Sequence, residues 1–251
     1  MKQLFQNMVK SLFTIILLLL SILLQAQNQS MRTLDQLIHT EDDGWIFVLD
    51  WKKEAKNFIE ILPIKSKESA ENELLNSQVT TRSPMGAIIY HSGGILIDGG
   101  WIRILGSGNT DLRGMMEWNL GKTYQKQGQQ LPYLLIADDI IGGFFALNSG
   151  GLSKDGIGKV FYFAPDTLEW EEVSGFGYSD FIHFCFTEDL NKFYKELRWK
   201  TWKDDIKNAS GNKAFSFIPF LFTKEGNDIE KVSKKLVSIS EIWDIYNGDK
   251  K

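Results

Sequence analysis

The chain has 251 residues, a formal charge of −4 and a single cysteine, so an intrachain disulfide is excluded. Removing residues 1–30 takes away Lys2 and Lys10 but no acid, which leaves 221 residues at −6. That mildly acidic balance argues against nucleic acid, whose recognition needs a basic face, and the length suffices for one sizeable core.

The first thirty residues differ from the rest. Lys2 and Lys10 lead into an apolar run from Leu12 to Leu24, followed by Gln25–Ala26–Gln27. A basic start, a short apolar run and a small residue near its end define a secretory signal peptide. The run has 13 residues, fewer than the roughly 20 that span a bilayer. The expected cut is near Ala26, with residues 1–27 as the signal and 31–248 as a single α+β domain. Two alternatives stay open. The segment is an uncleaved N-terminal anchor, given Leu24 three residues before the cut, or Met31 is the true start. The expected location is periplasmic or secreted after cleavage, and membrane-bound through this segment if it is retained.

Thr33 and Gln36 have capping-box spacing ahead of a short helix. Trp45–Ala55 carries apolar residues at helical spacing, and Phe58–Leu62 reads as a strand ended by Pro63. Lys67–Asn76 predicts a charged amphipathic helix. Ser83–Pro84 is an N-cap followed by proline at the first helical position, for a helix running to His91. Ile95–Ile97 and Trp101–Leu105 predict two strands joined by the tight turn Asp98–Gly99–Gly100. Asp111–Asn119 predicts a short helix.

From Leu134 to Trp170 the chain reads as a meander. Leu134–Ala137 ends at Asp138–Asp139, and Gly142–Gly143 leads into Phe144–Leu147. Asn148–Gly151 breaks that run, and Lys159–Phe163 resumes it before Pro165–Asp166. Gly142 and Gly143 are expected where the backbone needs positive φ or a close approach. Ser179 or Asp180 is expected to cap a helix with Phe181, Phe184 and Cys185, and Asp189–Leu197 and Trp199–Ile206 to be helical. Phe215–Phe222 reads as an edge strand containing Pro219. Ser238 and Glu241 repeat the capping-box spacing before the last helix, Ile239–Tyr246.

No catalytic signature stands out. Gly114–Thr123 ends like a phosphate loop, but six residues separate its glycines where four are needed. No Gly-x-Ser-x-Gly elbow is present. His39, His91 and His183 are the only histidines, and none has another three or four residues away, so zinc-type ligation is not expected. Cys185, in an apolar run, reads as a buried inert thiol. No cofactor is implied. Asp138 and Asp139 could bind a cation or serve as a general base, but adjacent strand residues point to opposite faces, so solvation or hydrogen bonding to the Gly142–Gly143 turn is favoured. Trp101, Arg103 and Trp118 could form an aromatic and cationic recognition surface; the plainer account puts Trp101 in the core and pairs Arg103 with an acid. Candidate binding residues are therefore Trp101, Arg103, Trp118, Asp138, Asp139 and Asn148. Seventeen Phe and eight Trp exceed what the core needs, so some are expected on a groove or partner surface.

The blocks Ser83–Gly108, Ile136–Gly150, Gly158–Val173 and Tyr178–Phe186 resemble the bacterial family of unknown function DUF2625, over nearly everything from Met31 to Tyr246. The order of strand, acidic turn, Gly-Gly, Phe-Phe-Ala-Leu-Asn, glycine loop, Lys-Val-Phe and Pro-Asp is also similar to the SUKH (Smi/Knr-like) superfamily, which includes bacterial immunity proteins. That second resemblance implies an α+β fold with a mainly antiparallel sheet flanked by helices. It also implies action by binding another protein, such as a toxin, rather than by catalysis. Two features depart from it: the tail beyond Trp199, and an export signal that suits only a toxin met outside the cytoplasm. The alternatives are a hydrolase using Asp138 or Asp139 as base, and a small-molecule or glycan binder using Trp101 and Trp118.

Overall fold

A seven-stranded antiparallel meander runs through the centre of the computed structural model, which describes residues 31–248. The leader expected over residues 1–27 lies outside the described residues. Each strand pairs with the next in sequence: β1 (Ile59–Leu62), β2 (Gly94–Ile97), β3 (Ile102–Leu105), β4 (Tyr133–Asp139), β5 (Phe144–Asn148), β6 (Val160–Phe163) and β7 (Trp170–Glu172). The turn at Asp98–Gly99–Gly100 joins β2 to β3 with all three residues at positive φ. A bulge at Leu135–Ala137 puts one extra residue in β4 before the acidic pair.

Register assigns the side chains to faces. Leu96, Arg103, Asp138, Phe144, Phe163 and Trp170 stand opposite one another across six strands, so they share one face. Ile95, Ile104, Ala137, Phe145 and Tyr162 share the other. Both faces are covered, which is why the central strands are continuously apolar rather than alternating. On the first face lie α5 (Met115–Asn119), the hairpin of β8 (Lys213–Ile218) and β9 (Ser233–Ser238), and α9 (Ile239–Asn247). Trp243 and Tyr246 of α9 pack on Phe144 and Phe163. On the second face, α6 (Tyr178–Thr187) and α7 (Leu190–Phe193) set Phe181 and Phe193 against Phe145. Helices α2 (Trp45–Lys53) and α4 (Pro84–His91) pack on α6, and α3 (Lys67–Ser77) on α4. The short α1 (Leu34–Leu37) rests on α3, with the Thr33 N–H donating to Gln36 Oε1 at 2.9 Å.

Several boundaries differ from the sequence reading. Helix α6 begins at Tyr178, not after Ser179 or Asp180, because the Asp180 carboxylate sits one turn in and accepts from the Gly177 N–H at 3.0 Å. The segment before α5 is a turn, in which Asn109 Oδ1 accepts from the N–H groups of Asp111 and Leu112. The stretch after Asp189 is helical only over Leu190–Phe193, and the next helix, α8, spans only Trp202–Asp205. Strand β8 stops at Ile218, so Pro219 follows the strand instead of lying within it. Strands β7 and β9 were not expected. Among the described residues, no helix is long and apolar enough to cross a membrane.

Candidate functional site

The β3–β4 pairing sets Arg103 directly opposite Asp138. Both are buried, and the guanidinium grips one carboxylate oxygen through Nε and Nη2. The second oxygen takes Nη2 of Arg113, which comes from the turn ahead of α5. Arg103 also donates to the carbonyls of Lys213, at the start of β8, and of Asp139, the latter at 2.7 Å. One carboxylate thus faces two arginines. Burial lowers the pKa of Arg103 to about 10, with Asp139 working against the shift. Burial, reinforced by the charge of Arg103, drives Arg113 well below its usual range. The plane of Arg113 lies 4.0 Å over the Trp118 ring, a contact Lys122 makes at 3.8 Å.

Asp139 points to the opposite face. Its Oδ1 accepts from the N–H groups of Gly143 at 2.7 Å and Ile141 at 3.2 Å. Its Oδ2 accepts the hydroxyls of Tyr162 at 2.7 Å and Tyr194 at 2.9 Å. Burial raises its pKa, opposed by the Tyr162 hydroxyl, the Gly143 N–H, the Tyr194 hydroxyl and the charge of Arg103. The two glycines serve this turn in different ways. Gly142 has φ +90°, and at Gly143 a side chain would collide with the Tyr162 hydroxyl and with Asp139 itself.

Asn148 closes the next loop. Its Oδ1 accepts from the N–H groups of Gly150 and Leu152, and its Nδ2 donates to the Ser153 carbonyl at 2.8 Å. Trp101 stands among Tyr194, Trp199 and Trp202 with Arg198 stacked over it. Trp118 packs on Phe144 and Trp243.

All six sequence candidates are therefore buried, and this corrects the picture of them as a recognition surface. Trp101, Arg103, Trp118, Asp138, Asp139 and Asn148 are each at most 3% exposed. Neither aspartate is solvated, and they do not converge on one ion. The alternation rule separated them correctly, and the pairing of Arg103 with an acid is observed. The partners Arg113, Tyr162 and Tyr194 had carried no signal in the sequence. Glu73 of α3 was also missed: it is buried and accepts from the Met116 and Glu117 N–H groups at 2.7 and 3.2 Å. Burial raises it to about 7, against the pull of those two donors. Among the described residues, no group of three or more His, Cys, Asp or Glu could hold a metal ion.

The surface offers something else. Helix α2, Trp-Ile-Phe-Val-Leu-Asp-Trp-Lys-Lys, is apolar nearly all round, yet only Val48 is buried. Ile46 is 60% exposed, Phe47 52% and Leu49 39%. These three border a groove of about 540 Å³ with Thr40, Glu41, Asp42, Asp43, Trp45 and His91. Asp43 starts the helix by accepting from the Trp45 N–H at 2.8 Å, and its other oxygen meets His91 Nε2 at 2.8 Å. The next turn carries Trp51, stacked on Phe47 with ring centres 6.4 Å apart.

The fold and these sites describe an α+β domain with a buried ion cluster on its sheet and an apolar surface helix. The chain belongs to the family described as "Protein of unknown function DUF2625", whose model matches residues 34–242. It is 44% identical over 210 residues to an uncharacterised protein of Haemophilus influenzae, covering 83% of this chain and 91% of that one. It is 43% identical over 216 residues to a putative uncharacterised protein, YbfG, of Escherichia coli K12, covering 86% of this chain and 95% of that one. No solved structure matches the chain.

Proposed function

We propose that this is a non-catalytic protein-binding domain that engages its partner through α2. The observation that carries this reading is the exposure of Ile46, Phe47 and Leu49 along one helix, bounded by Glu41, Asp42 and Asp43. An apolar surface cluster with a polar rim is the pattern of an interaction site, and leaving three large apolar side chains in water is unfavourable unless something covers them. The paired aspartates support the same reading, since both are saturated by protein donors and sealed from solvent. The toxin-neutralising form of this function rests on the similarity to immunity proteins of the SUKH superfamily. Export rests on the basic and apolar leader.

A photo-crosslinking residue at Ile46 tests the reading. A discrete cross-linked protein is expected, and Phe47→Asp should abolish it. That surface change should cost at most about 0.5 kcal/mol and shift Tm by about 2 °C or less. No discrete product, or an unchanged product in Phe47→Asp, would overturn the reading. Export is checked by the intact mass of protein from the envelope fraction. A cut near Ala26 is expected, and the full 28.7 kDa would contradict it.

A further inference from the structure

Beside the apolar face of α2, a second groove of about 450 Å³ opens toward α6. Its wall is mostly aromatic, with Trp51, Phe176, Phe184 and His183, and Ser179, Asp180 and Glu188 complete it. No Lys or Arg lines it. Trp51 meets His183 edge-on at 5.9 Å, and Phe176 and Phe184 lie 5.4 Å apart. Neither carboxylate has an ion-pair partner among the described residues. Asp180 accepts only from the Gly177 N–H, and Glu188 is held through its backbone. Ring faces carry negative potential, and carboxylates at the edge of an aromatic cleft add to it. The occupant such a wall favours is an organic cation with an aliphatic stem, which a Lys or Arg side chain supplies.

We propose that this groove receives a Lys or Arg side chain of the partner protein, whose neighbouring apolar residue lies on Phe47 and Ile46. This rests on the protein-binding reading. The Phe47–Trp51 stack joins the two surfaces, so both anchors belong to one segment.

The test needs no partner. The full chain is titrated with N-acetyl-arginine amide, N-acetyl-lysine amide, the neutral N-acetyl-norleucine amide and tetramethylammonium chloride. The readout is the NMR shift of the Trp51 indole N–H, assigned with Trp51→Phe. A cationic amide should bind about fivefold or more tightly than norleucine amide. The double variant Asp180→Asn with Glu188→Gln should remove most of that preference and lower Tm by no more than about 4 °C, since Asn keeps the oxygen that accepts from Gly177. Equal binding of norleucine amide, or full cation binding by the double variant, would overturn the proposal. Binding of tetramethylammonium alone would also overturn it, because the groove would then suit a free small cation. If the amides fail while Ile46 still cross-links, only the cation subsite falls. If the amides bind while Ile46 cross-links nothing, the partner assignment falls.

Discussion

Asp138 and Asp139 are neighbours that lock opposite faces of one sheet, and the chemistry of each follows from its donors. Among the described residues, Asp138 is the one carboxylate in an ion pair with the two buried guanidinium groups of Arg103 and Arg113. Replacing it with Asn takes the directly paired carboxylate from both, so Asp138→Asn should destabilise by about 3–5 kcal/mol. Urea denaturation measures this, and combining it with Arg103→Met should cost less than the two single changes added together. A loss below 1 kcal/mol would mean that water reaches the cluster. Glu73 makes a pH-dependent contribution of opposite sense to a salt-bridged carboxylate. Its folded pKa of about 7 lies above the ordinary 4.5 of a free glutamate, so between those limits the native state holds more protons than the unfolded chain. Stability therefore falls as pH rises from about 4.5 to about 7, by up to roughly 3 kcal/mol from this residue. Thermal melts of wild type and Glu73→Gln across that range should differ in slope, and parallel curves would show that Glu73 titrates normally.

The β4–β5 turn shows what can be read from a string of residues. Gly142–Gly143 after an acidic pair announced a backbone that excludes side chains, and the turn has one glycine at positive φ and the other against Tyr162. Gly143→Val should cost on the order of 1–3 kcal/mol, as should Gly142→Val through backbone strain. Melting temperatures equal to wild type would contradict both. Periodicity and punctuation made β2 to β6 and the last helix legible, because apolar runs between Gly, Asn and Pro leave few alternatives. Strand β9, Ser-Lys-Lys-Leu-Val-Ser, was hidden because it belongs to a two-stranded hairpin and keeps its lysines in solvent or only partly covered. The ion cluster was hidden for another reason. Arg113 is 25 residues from Asp138 and Arg103 is 35 away, and alternation says which face a side chain takes without saying what covers that face. The surface of α2 was illegible because its apolar residues lie on nearly every side, between Asp50, Lys52 and Lys53, and so single out no outward face.

The segment beyond Arg198 belongs to the fold and is no appendage to a smaller one. Trp199 and Trp202 enclose Trp101, the Lys213 carbonyl accepts from Arg103, and α9 lays Trp243 and Tyr246 on the aromatic row of the sheet. Removing residues 199–251 would bare Trp101, Phe144 and Phe163 together with a charged Asp138–Arg103 pair, and burial of that apolar surface is what offsets chain entropy. A chain ending at Arg198 should therefore fail to fold, with flat near-ultraviolet dichroism and proteolysis throughout. The full chain should unfold in one transition, with tryptophan fluorescence and far-ultraviolet dichroism tracing the same urea curve, because Trp199, Trp202 and Trp243 sit in the same core as Trp101 and Trp118. Two separated transitions, or a protease-resistant fragment ending near Arg198, would show that the meander and its first helices hold together alone. In that case the C-terminal hairpin and helix would be an added layer that the sheet does not require.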